Sequence, residues 1–184
     1  FHLARAFKEC GNTVLWLNPA KIRRRQKDSD RWILNKIEVF DPEIIFIYSK
    51  DIPLGVLQKI AGGPAKTMLY YEDMRREVPT SLVQMGMLVD FFLATNKGML
   101  ADYKKAGISR PIYFTGACDR HDHRMRRHLL PAWKSDIAFI GQARKDESRV
   151  VLTRKLAERF NVKVYGKNWQ TFGMKPTLKA VTPR

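Results

Sequence analysis

Long apolar runs are missing from this sequence, and so is the glycine fingerprint of a dinucleotide-binding turn. No stretch approaches the roughly 20 apolar residues that a membrane-spanning helix needs. Gly-x-Gly-x-x-Gly occurs nowhere, which argues against a dinucleotide-dependent oxidoreductase. Cysteine is scarce: the 2 present, Cys10 and Cys118, lie far apart without Cys-x-x-Cys spacing. Neither a disulfide framework nor a zinc site is suggested, and both read as buried or incidental thiols. The opening Phe1-His2-Leu3-Ala4-Arg5 does not have the pattern of a signal peptide, so the cytoplasm is the expected location. Acidic residues are in short supply, 18 against 34 Lys and Arg, for a net charge of +16. That balance favours anionic partners such as nucleotide diphosphates, nucleic acid or acidic lipid surfaces, and does not choose among them.

What is present is the composition of a folded protein. Hydrophobic residues make up 45% and charged residues 28% of 184 positions, enough to bury a core and long enough for one domain plus part of a second. Leu3, Ala6 and Phe7 have helical spacing over 2–10, and Gly11 follows as a stop. The β-rich run 13–17 predicts a buried strand, and 21–27 a basic, polar connection. Asp28, Ser29 or Asp30 can cap a helix with Trp32, Ile33, Ile37 and Phe40 on its apolar face. The continuous apolar run 44–48 predicts a strand covered on both faces, and Pro53 opens a helix reaching residue 60.

Further strands are expected at 67–71, 90–95 and 112–115, with helices at 81–88 and 97–106 between them. Gly86 weakens the first of these helices by about 1 kcal/mol relative to Ala. Strand and helix alternate throughout, which predicts an α/β protein: a Rossmann-like open parallel sheet with helices on both faces. Residues 1–118 form this first domain and 119–135 a basic linker. From 136 to 184 a strand at 137–141, a helix at 149–160 and a strand at 162–166 begin a second Rossmann-like unit. The chain opens on a helix where such a unit would open on a strand and glycine-bearing turn, and stops after two strands of the second, so a fragment is expected.

Several segments recur in a familiar order. Asp136-Ile137-Ala138-Phe139-Ile140-Gly141 is followed by Arg149 and then by Val162-Lys163-Val164-Tyr165-Gly166-Lys167-Asn168-Trp169. Earlier come His2-Leu3-Ala4-Arg5-Ala6-Phe7 with Gly11, Asp41-Pro42 before a strand, Tyr71-Glu72-Asp73, and Ala94-Thr95-Asn96 leading through Tyr103 to Gly107. In this order the chain resembles glycosyltransferases of the two-domain GT-B fold, particularly the spore-maturation CgeB-like group. The resemblance implies an acceptor-side first domain and, from residue 136, the start of a donor-binding domain. The enzyme would move a sugar from a nucleotide-sugar donor to an unidentified acceptor, with closure across the linker excluding water. It implies no cofactor. The family's later donor-site region, including an acidic motif, would lie beyond Arg184.

Ligands of open α/β sheets lie at the carboxyl ends of the strands, where loops and helix N-termini present N–H groups to anions. Gly141, just past its strand, would let the backbone approach a diphosphate, or is an ordinary tight turn. Arg144, Lys145 and Arg149 add positive charge there, enough to stabilise a leaving diphosphate without a metal. In the first domain Glu72-Asp73 follows a strand, where a carboxylate such as Asp73 would orient or deprotonate an acceptor hydroxyl, or bond to a helix N-terminus. Asp119, at another strand end, is a second catalytic candidate or the cap of a turn. His121, His123 and His128 sit among arginines in poor ligand spacing, so no metal site is expected. Trp169 either belongs to the family's Gly-Lys-x-Trp segment or packs in a core. The alternative reading, from the charge and the 23–25 and 124–127 runs, is a non-catalytic basic module that binds nucleic acid or an anionic surface.

Overall fold

The computed structural model describes residues 2–48, 52–75, 77–116, 119, 121, 133–143 and 148–173. The chain divides into two compact units, Phe1–His123 and Arg124–Arg184. Among the described residues no helix is long and apolar enough to cross a membrane.

The first unit opens with α1, His2–Glu9. Gly11, at φ 85°, closes it: the Gly11 and Asn12 N–H groups return to the carbonyls of Lys8 and Phe7 at 2.9 and 3.1 Å, the paired closure that favours a left-handed glycine. Residues 13–17 do not form the expected strand, since no ladder among the described residues includes them. Leu17 packs on the core, whereas Leu15 and Trp16 are exposed. The expected basic connection is also different, because Pro19–Arg25 is a helix, α2. Asn18 caps it by accepting from the Lys21 N–H at 3.0 Å. Pro19 takes the first helical position, and Arg23, Arg24 and Arg25 fill the last turn, where cations favour the helix dipole.

Helix α3, Ser29–Phe40, is capped by Asp28, whose carboxylate accepts from the Arg31 N–H at 3.2 Å. Its Ile33 is buried, with Trp32 and Ile37 beside it on the core. There follow β1 (Ile44–Tyr48), α4 (Leu54–Ile60), β2 (Lys66–Tyr71), α5 (Thr80–Leu88), β3 (Phe91–Ala94), a 3₁₀ turn (Lys97–Met99) running into α6 (Leu100–Lys105), and β4 (Pro111–Tyr113). The strands lie in the order β1-β2-β3-β4 and every pair is parallel.

Strands laid down in sequence order with right-handed crossovers place their helices on one face. The core confirms it: Ile47, Leu69 and Phe92, matched across the ladders, bury against Val56 and Leu57 of α4, Leu82 of α5 and Tyr103 of α6. The opposite face presents Phe46, Tyr48 and Tyr70, and α1 packs there through Phe7, whose ring lies 5.7 Å from that of Phe46. Helices therefore flank both faces of an open parallel sheet, the Rossmann-like α/β arrangement that the alternation predicts. Gly86 has a packing reason to stand inside α5: a Cβ there would lie 2.7 Å from the Ile108 side chain.

In the second unit β5 (Ile137–Ile140) and β6 (Val162–Tyr165) pair in parallel, joined by α7 (Ser148–Ala157). A 3₁₀ turn, Trp169–Phe172, follows. Ala143, Val150, Val164 and Trp169 form its buried core, with Phe139 and Phe172 against them.

Candidate functional site

At the carboxyl end of the first sheet, Glu72 and Asp73 leave β2 between the ends of β1 and β3. Thr95, just past β3, fixes this exit. Its N–H donates to the Tyr71 carbonyl at 3.3 Å and its hydroxyl to the Glu72 carbonyl at 3.0 Å. The Glu72 side chain turns toward β1, where the Tyr48 hydroxyl donates to its Oε1 at 2.6 Å. Asp73 instead pairs with Arg75 at 3.1 Å, both side chains exposed. Of the two carboxylates, Glu72 is thus the one oriented over the sheet. Tyr70 lies beside it, and its hydroxyl is pushed above the usual phenol value, first by burial and then by the Glu72 charge. It remains a neutral donor at any physiological pH.

Three rings share this rim. Tyr70 meets Tyr48 on one side and Phe114 on the other, each with ring centroids 5.6 Å apart. Sequence reasoning names the carboxylates and misses the rings. The only signal was an aromatic residue at or near the end of the apolar runs at 44–48, 67–71 and 112–115, which reads equally as core.

Asp119 is held elsewhere. Its Oδ2 engages the Arg5 guanidinium and lies 3.0 Å from His2 Nδ1, while Oδ1 accepts from the His121 N–H at 2.7 Å. The side chain is only 7% exposed. Arg5 chiefly, with the His121 N–H and His2 adding to it against the opposing effect of burial, keeps the carboxyl well below the ordinary range. His121 Nε2 lies 2.9 Å from Glu9 Oε1. His2, Arg5 and Glu9 recur at helical spacing, so Asp119 and His121 together clamp one face of α1. A turn cap is what the sequence offered as the alternative for Asp119, and the carboxylate does bond two residues ahead in that way.

His123 and His128 lie outside the described residues, as do Cys118 and the 124–127 run. Among the described residues no three His, Cys, Asp or Glu side chains group to hold a metal ion. Cys10 is an exposed thiol.

In the second unit Gly141 ends β5 with both backbone groups engaged. Its N–H donates to the Tyr165 carbonyl at 2.8 Å, and its carbonyl accepts from Trp169 Nε1 at 2.8 Å. The Ala143 N–H then donates to the Lys167 carbonyl at 3.0 Å. The close approach that a glycine permits here is of one chain segment to another: a Cβ on Gly166 would come 2.0 Å from the Gly141 carbonyl oxygen. Arg149 stands in the first turn of α7 and donates from Nη1 to the Gln142 carbonyl at 3.0 Å, which fixes a half-buried arginine beside the β5 exit. Arg144 and Lys145 lie outside the described residues. Trp169 is fully buried, edge-on to Phe139 at 5.3 Å, so packing is the role the fold gives it.

No known protein family matches the chain, and no curated protein matches it either.

Proposed function

We propose that the chain is a glycosyltransferase, or the N-terminal portion of one, of the CgeB-like GT-B type, transferring a sugar from a nucleotide-sugar donor to an acceptor hydroxyl without a metal. The observation that carries the reading is the recurrence of a parallel strand-helix-strand unit, β5-α7-β6, after a first open parallel sheet whose carboxyl end bears an oriented carboxylate. In this reading the first unit holds the acceptor and the second the donor. Glu72, with Asp73 next to it, accepts a hydrogen bond from the acceptor hydroxyl and draws off its proton as the sugar is transferred. Arg149, together with Arg144 and Lys145, offsets the charge that builds on the departing diphosphate. Asp119 takes a positioning part by anchoring α1.

Thermal denaturation tests this. The 184-residue chain is melted with uridine, guanosine and adenosine diphosphates and their sugars, and with a polyuridine oligonucleotide, at low and high salt. Saturable stabilisation by one nucleotide or its sugar is expected, because a ligand that binds only the native state stabilises it by about 2.7 kcal/mol at a hundredfold excess over Kd. Stabilisation by the oligonucleotide alone, lost in high salt, would replace this reading with that of a basic nucleic-acid-binding module.

A further inference from the structure

The sheet's own packing does not account for the aromatic row at its carboxyl end. Tyr70 is nearly buried between its neighbours, but Tyr48 and Phe114 remain 43% and 42% exposed. They are not loose. Each ring lies against Tyr70, Phe114 edge-on at 83° and Tyr48 tilted at 52°. The row terminates in a carboxylate whose direction is set by the Tyr48 hydroxyl. Near the Tyr70 hydroxyl the chain is glycine: even a Cβ on Gly116 would stay 4.0 Å away, so no side chain from that position covers the ring.

Fixed, half-exposed rings offer a flat apolar surface with a negative π-face. The C–H face of a pyranose, whose hydrogens carry a small positive charge, complements it. A carboxylate next to such rings accepts charge-assisted hydrogen bonds from sugar hydroxyls. The row also lies at the carboxyl ends of parallel strands, where open α/β sheets take their ligands.

We infer that Tyr48, Tyr70 and Phe114 with Glu72 form a carbohydrate-binding subsite, in which an oligosaccharide stacks on the two outer rings and gives a hydroxyl hydrogen bond to Glu72. The inference rests on the reading of the first unit as the acceptor side, and it names the acceptor's class as a saccharide. Nucleobases also stack on exposed rings, but the Glu72 charge repels the phosphates that would accompany them.

The test is saturation-transfer NMR on the intact 184-residue chain with cellotriose, maltotriose and chitotriose as probes. Transfer to the ring C–H protons of at least one trisaccharide is expected. Tyr48→Ala and Phe114→Leu should each weaken that binding about tenfold, the equivalent of roughly 1.4 kcal/mol. Glu72→Gln, which keeps an acceptor but removes the charge, should have a smaller effect. Should a variant lose its fold by circular dichroism, shifts of the tyrosine and phenylalanine ring protons of the unaltered chain decide the matter. The idea is overturned by absence of transfer to all three probes, by unaltered affinity in folded Phe114→Leu, or by displacement of the saccharide with polyuridine. Nucleotide-sugar stabilisation without saccharide binding would sink this inference alone. Saccharide binding without any nucleotide effect would sink the transferase reading alone.

Discussion

Thr67 and Asp90 exchange hydrogen bonds in both directions across the amino ends of β2 and β3. The Thr67 N–H and hydroxyl both donate to Asp90 Oδ2 at 2.9 Å, and the Asp90 N–H donates back to the Thr67 hydroxyl oxygen at 3.0 Å. Lys66 adds its ammonium at 3.1 Å. Two neighbouring parallel strands are thereby pinned at the end opposite the candidate site, by a threonine that is itself buried.

Acid should release this pin. The Thr67 N–H first, then Lys66 and the Thr67 hydroxyl, lower the Asp90 carboxyl from 3.8 to about 2. A depressed carboxyl contributes stability that is fully present above its unfolded value and is lost as pH falls through the folded one. The window therefore runs from 3.8 down to about 2. Urea denaturation at stepped pH should show Asp90→Asn with a flatter acid limb than the unaltered protein, Asp119 being common to both. Thr67→Val should cost about 1–2 kcal/mol at neutral pH. Parallel acid limbs in the Asn variant and the parent would contradict this account.

Gly86→Ala sets helix propensity against packing. Alanine would improve the interior of α5 by about 1 kcal/mol. Its Cβ would lie 2.7 and 2.9 Å from two carbons of Ile108 and 3.3 Å from the Phe92 ring, and overpacking of a filled core costs about 1–3 kcal/mol. Packing wins, so the expected result is a net loss near 1 kcal/mol. The double change Gly86→Ala with Ile108→Val should recover part of it. A stabilised single variant would mean that Ile108 moves aside freely.

Gly166→Ala should be far more damaging. Residue 166 sits at φ 139°, and the added carbon would meet the Gly141 carbonyl carbon and oxygen at 2.7 and 2.0 Å, backbone atoms that cannot swing away. A loss of more than about 3 kcal/mol from the second unit is expected. The readout is a red shift of Trp169 emission as its bond to the Gly141 carbonyl breaks, with hydrogen exchange in β1–β4 unchanged. Normal emission from Gly166→Ala would show that the two exits tolerate separation.

Much of this architecture was legible residue by residue. The strands at 44–48 and 67–71 announce themselves as largely apolar runs, the mark of parallel strands covered on both faces, although only β2 is buried in that way and β1 leaves Ile44 and Tyr48 exposed. Residues 13–17 give the same signal and join no ladder among the described residues, since a run of apolar residues reports burial propensity and not the presence of a hydrogen-bonding neighbour. Helix α2 was obscured by its charge, although Asn18-Pro19 followed by terminal arginines is a helix start and stop.

The site was legible as far as Glu72 and Asp73, which lie where a strand must give way to a loop. Its rings were not. Tyr48 opposes Tyr70 only because of the β1–β2 register, and Phe114 reaches Tyr70 from beyond β4; neither pairing is written in local spacing. Gly141 reads from the sequence as a place where a ligand approaches the backbone or as a tight turn; the close contact found there is with Gly166, 25 residues on, and it is Gly166 that must lack a Cβ.

Four buried apolar side chains, Ala143, Val150, Val164 and Trp169, make up the described core of the second unit. The two compact units bury separate clusters, which makes one all-or-none transition a poor description of the whole chain. Calorimetry should resolve two unequal endotherms, the lower one following Trp169. A nucleotide seated on the second unit would then move that lower endotherm and leave the upper in place.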